Sequence, residues 1–139
     1  MRRALSAALA VLLLSAAIPL ASEETPEKVA EAAALSWLGL VDAGKYGESW
    51  DATAEAFRGS VTKEKWQTML EQARQPLDKM VSRNLKSAKY TTHISGAPAG
   101  DYVILQFDTS FEHRPSSIET VTPVKEKDGT WKVGGYFIK

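Results

Sequence analysis

The chain has 139 residues, of which 44% are hydrophobic and 24% charged, with 17 basic and 17 acidic side chains, two histidines and no cysteine. That composition suits one globular domain. It excludes disulfides, thiol chemistry, thiolate metal sites and lipid attached through cysteine. The balanced charge offers neither the basic footprint of a nucleic-acid binder nor a polybasic stretch for anionic lipid.

The first segment has the pattern of a cleavable secretory signal. Arg2 and Arg3 give a positive start, an apolar run follows from Ala4 to Ala17, and small residues surround Ala21-Ser22. Cleavage is expected after Ala21, with Ser15-Ala16-Ala17 as the second choice. A membrane anchor would need about 20 apolar residues, and Pro19 interrupts the run before that length. The expected division is therefore a signal at 1–21 and a single domain at 22–139, bound for the periplasm or the exterior and not inserted in the membrane. Without Arg2 and Arg3 that domain carries 15 basic and 17 acidic residues, a net charge of −2.

Thr25-Pro26 opens a helix, with Thr25 as N-cap and Pro26 at the first helical position. Val29, Ala33, Trp37, Leu40 and Val41 recur at helical spacing, widened by Ala30 and Leu38, and Gly44 stops the run. A second helix is expected from Tyr46 to Phe57, with Tyr46, Trp50, Thr53 and Phe57 on one face. A third, capped by Thr62, runs to about Arg74 with Trp66, Met69, Leu70 and Ala73 inward, and Gln75-Pro76 closes it.

From Leu77 onward the pattern alternates, which is the period of a half-buried strand. Strands are expected over 79–86, 88–95, 101–112, 117–127 and 130–138. Gly96 to Gly100, His113 to Ser116 and Asp128-Gly129 separate them. In the third of these, Val103, Leu105, Phe107, Thr109 and Phe111 share one side, and Tyr102, Ile104, Gln106 and Asp108 the other. In the last, Trp131, Val133, Gly135 and Phe137 fall together. Three helices followed by an antiparallel meander of four or five strands define an α+β, two-layer domain.

Several of these residues carry a resemblance. Asp42-Ala43-Gly44-Lys45-Tyr46 with Trp50, and the ending Asp128-Gly129-Thr130-Trp131-Lys132-Val133-Gly134-Gly135-Tyr136, resemble the first helix-turn-helix and the last hairpin of the nuclear-transport-factor-2-like, or cystatin-like, superfamily. Arg74-Gln75-Pro76-Leu77, Arg83, the Phe111 strand, Glu119-Thr120-Val121 and the late Gly-Tyr are similar to the bacterial exported family named domain of unknown function 4019. The resemblance implies a curved sheet wrapped on a long helix, leaving a conical pocket. It implies no particular activity, because the superfamily holds isomerases, dehydratases, binding modules and dimerising partners. One departure is Asp78, where the family pattern has Gly.

If such a pocket exists, Trp50, Tyr46, Phe107 and Trp131 would line it, although each also suits a core. Arg83 alternates with Val81 and Leu85, and Glu119 with Val121, so two charges share faces with apolar residues. Buried charges persist when paired. The two are expected to meet, with Arg74 as a further partner, either as a bridge tying the sheet or as a site. In a site, Glu119 would serve as base with Arg83 or Tyr136 as electrostatic partner, the lyase or isomerase reading. The other reading is a non-catalytic module for a small apolar ligand or a protein. Asp108 and its neighbours could also join two copies sheet to sheet. His93 and His113 lie outside metal-ligand spacing, and the sequence calls for no cofactor and no metal.

Overall fold

The computed structural model describes residues 24–139 together with Ala17. The expected export segment otherwise falls outside the described residues. The long first helix, α1, spans Pro26–Asp42. Its start follows from Thr25, whose side chain accepts from the Lys28 N–H, and from Pro26, which needs no donor there. Gly44, at φ 75°, takes the left-handed turn that ends it. The buried stripe is Ala30, Ala34, Trp37, Leu38 and Val41. It is rotated from the expected one, leaving Val29 at the solvent edge.

The expected second helix divides. α2 covers Tyr46–Asp51 and α3 covers Glu55–Ser60. Between them Thr53 bridges to Val133 and the Ala54 N–H donates to the Val133 carbonyl at 2.8 Å. The strand edge thus takes the Ala54 N–H that a continuous helix would have used. α4, Lys63–Arg74, is capped by Thr62 and runs into a 3₁₀ turn over Gln75–Leu77. Asp78 follows at φ 60° and ψ −148°, a region that favours glycine.

Four strands, β1 (Met80–Thr91), β2 (Tyr102–Phe111), β3 (Arg114–Lys125) and β4 (Trp131–Ile138), form one antiparallel sheet in sequential order. The two strands expected before Gly96 are thus a single strand. The break expected near Lys86 is a bulge between Leu85 and Ser87, and another lies between Met80 and Ser82. His93 stands in the loop beyond β1 rather than in a strand. Pro115, expected in a turn, sits near the start of β3, where a missing N–H costs no interior ladder bond.

A third irregularity moves side chains. Val121 pairs with Tyr136 but Pro123 pairs with Val133, so Gly134-Gly135 stand opposite Thr122 alone. The extra residue reverses the alternation. Tyr136 and Ile138 turn to the helix side with Val133, while Phe137, expected on the same side as Val133, is 56% exposed. On β2 the expected inner face holds: Val103, Leu105, Phe107, Thr109 and Phe111 are all buried. The core lies between that face and α1, joined by Trp66 and Leu70 of α4. The described residues form an α+β domain of four helices and a four-stranded sheet.

Candidate functional site

Six side chains from six elements converge beneath the helices. They are Asp42 at the end of α1, Arg74 at the end of α4, Arg83 on β1, Thr109 on β2, Glu119 on β3 and Tyr136 on β4. Glu119 is completely buried. It accepts from Arg83 Nε at 2.7 Å and Arg83 Nη2 at 3.2 Å, from Thr109 Oγ1 at 2.7 Å, and from the Tyr136 hydroxyl. Arg83 also donates to Asp42 through Nη1 at 2.8 Å and Nη2 at 3.0 Å. Arg74 Nη2 donates to the same carboxylate at 2.8 Å.

Two cations and two anions alternate here, so the lattice is neutral and each charge is met by hydrogen bonds. Asp42 lies where a helix C-terminus disfavours an anion, and the two guanidiniums offset that. Burial by itself would raise its carboxyl, but the hydrogen bonds from Arg83 and Arg74 outweigh burial and hold it below the usual carboxylate value. Burial works against the Arg83 cation too, yet Asp42 and Glu119 raise it further above its already high value. Burial, then the Glu119 charge, push the Tyr136 phenol well up, so it stays a donor. Arg74 stacks over Phe111 at 4.8 Å from the ring centre, with its Nε unpaired.

Tyr136 joins this lattice to an aromatic cluster, meeting Trp37 edge-on at 5.2 Å between ring centres. Ser49 anchors the cluster without any exposure of its own. Its carbonyl accepts from Trp37 Nε1 at 2.9 Å and its hydroxyl from Trp66 Nε1 at 3.0 Å. Phe57 meets Trp66 edge-on at 5.0 Å.

The structure brings Arg83, Glu119 and Tyr136 together; Arg83 and Glu119 were expected to meet, whereas Tyr136 was named only under the lyase or isomerase reading. It does not gather the four aromatic candidates around one opening. Phe107 is in the core. Tyr46 faces a shallow groove with Lys63 and Gln67, and Trp131 another with Ala33 and Leu40. Trp50 donates to the Val61 carbonyl at 2.8 Å and packs against the core. Asp42 entered the sequence reading only as part of a turn. An acidic residue in the last turn of a helix, against the dipole, was the signal available for it.

An apolar opening lies elsewhere, between α4 and β4. This groove, about 340 Å³, is walled by Met69, Leu70 and Ala73, by Leu77, and by Phe137 and Ile138. Met69 and Ala73 were expected in the core and instead form its outer wall. Among the described residues no group of three or more acidic or imidazole side chains could hold a metal. No described helix is long and apolar enough to cross a membrane.

Fold and site together describe a small α+β domain with a closed, charge-neutral interior and an apolar groove at its sheet edge. Residues 33–136 match the family described as protein of unknown function DUF4019, and the chain belongs to that family. No curated protein matches it.

Proposed function

We propose that this chain is an exported, non-catalytic binding module whose ligand is small and apolar and sits in the α4–β4 groove. The observation that carries the reading is the contrast between two places. The buried groups Asp42, Arg74, Arg83, Glu119 and Tyr136 are hydrogen-bonded to one another, while the groove leaves Met69 and Phe137, 46% and 56% exposed, facing open volume. Exposed apolar side chains around a concavity mark binding surfaces. A base needs a free lone pair within reach of a substrate proton. Glu119 has no exposure and accepts four hydrogen bonds, so the lyase or isomerase reading gains no support from this geometry.

Export is supported by Arg2-Arg3, the Ala4–Ala17 run and the small residues at Ala21-Ser22. The resemblance to the nuclear-transport-factor-2-like superfamily supports a pocket between helix and sheet. In this chain Phe107, Trp37 and the ion-pair lattice occupy that layer, and the open volume stands at its rim. Binding is tested with a neutral apolar probe such as decanol, titrated against the parent and Ala73→Trp, which fills the groove. Binding by the parent and its loss in the variant are expected, and equal binding by both would sink the reading. Export is tested by mass spectrometry of the protein from osmotic-shock fluid and culture medium, where a new N-terminus at Ser22 is expected. An intact Met1 on protein confined to the cytoplasm would refute it.

A further inference from the structure

Three of the side chains lining the α4–β4 groove carry polar groups, and they are in different states of commitment. The Trp66 indole N–H donates inward to Ser49 Oγ at 3.0 Å. The Tyr136 hydroxyl donates to Glu119. Arg114, at the start of β3, is exposed and reaches the same groove. It has no carboxylate within 4.0 Å among the described residues, unlike the buried Arg74 and Arg83. No acidic residue lines the groove.

These walls define the polarity of what they can hold. Along α4 and β4 a ligand meets only methyl, methylene, thioether and aromatic surface, with no uncommitted side-chain donor or acceptor. A polar body buried there would lose hydration without replacement. At one end it meets one free guanidinium, a fork that suits a carboxylate. From this pattern we infer that the groove binds a medium-chain fatty acid. Its chain lies against Met69, Ala73 and Phe137 and its carboxylate pairs with Arg114. The inference rests on the apolar-ligand reading above and adds to it the charge and position of the head group.

The test is calorimetric titration of the protein, as processed by its host, with decanoate and with decanol, in the parent and in Arg114→Ala, Arg114→Lys and Ala73→Trp. Both positions are exposed, and thermal melts report whether each variant is folded. Decanoate is expected to bind the parent about tenfold more tightly than decanol, the scale of one charge-assisted contact. Arg114→Ala should erase that preference while leaving decanol unchanged, Arg114→Lys should restore part of it, and Ala73→Trp should abolish binding of both. Equal affinity for the two probes, or a preference that survives Arg114→Ala, overturns the anionic-head assignment and leaves the apolar-ligand reading standing. Tighter binding of a short peptide with an apolar C-terminal residue than of decanoate overturns the fatty-acid assignment. Failure of both decanoate and decanol overturns the inference and the reading beneath it.

Discussion

Glu119 concentrates the energetics of the interior in one carboxylate. Removing it strands Arg83 against Asp42 alone and leaves Thr109 and Tyr136 without their acceptor. Breaking one member of a buried pair costs about 3–5 kcal/mol, so Glu119→Ala should lower the urea midpoint strongly. Glu119→Gln keeps the shape and loses the charge, and should fall between. A midpoint unchanged in Glu119→Ala would refute the role assigned to the lattice. Asp78 offers the opposite case. Its φ of 60° with ψ of −148° is strained for any residue with a Cβ, and its contact with His113, at 3.8 Å, is loose and exposed. Asp78→Gly should therefore stabilise the chain by about 1 kcal/mol, the low end of such strain. A lower melting temperature in that variant would show that the turn is held by something else. The Arg83–Glu119 meeting was expected from alternation, which holds for Glu119 beside buried Val121 but not for Arg83, whose neighbours Val81 and Leu85 are 63% and 42% exposed beside the β1 bulges. Asp42 was not, since a helix-terminal acid reads as solvated until β1 and α4 deliver guanidiniums to it.

Elements explain the places where periodicity misleads. Simple alternation through β4 groups Gly135 and Phe137 with Val133, yet the Gly134-Gly135 bulge puts Tyr136 on that side instead. Only after that reversal can the Tyr136 hydroxyl reach Glu119. Deleting Gly134 should restore uninterrupted alternation, direct Phe137 inward and take Tyr136 out of the lattice. The expected result is loss of the cooperative thermal transition, followed by near-ultraviolet circular dichroism of the aromatic cluster. A cooperative melt close to the parent's would mean that β4 recovers its phase by another route. The split of the second helix has a similar origin. Thr53 and Ala54 hold helical spacing in sequence but are claimed by the outer edge of β4 at Val133. In β1, bulges at Val81 and Lys86 carry one strand across what reads as a break.

At the scale of the whole molecule, the lattice couples every long element to the pH of the compartment. The Asp42 carboxyl is held below its usual value, so the unfolded chain takes up that proton before the folded one does. Its stabilising contribution is therefore complete above about pH 4, the unfolded value, and is lost as pH falls through the lower folded value. Melting temperature should drop as the pH is taken from neutral towards about 3. Asp42→Asn should melt lower than the parent at neutral pH, and the gap should narrow in acid. A gap that stays constant across that range would exclude Asp42 as a source of the acid sensitivity. The charges themselves cancel within the interior, which leaves Arg114 at the groove as the cation available to a ligand there.

The sequence by itself determined the class of the domain, the caps at Thr25 and Thr62, the stop at Gly44, the inner face of β2 and the expectation that Arg83 and Glu119 meet. These depend on short-range chemistry: periodicity, turn residues and the cost of an unpaired buried charge. The tertiary structure decided which side Tyr136 faces, that Asp42 completes the lattice, and that an apolar groove lies between α4 and β4. Those outcomes depend on one extra residue in a ladder and on groups brought together from all parts of the domain, which no local pattern encodes.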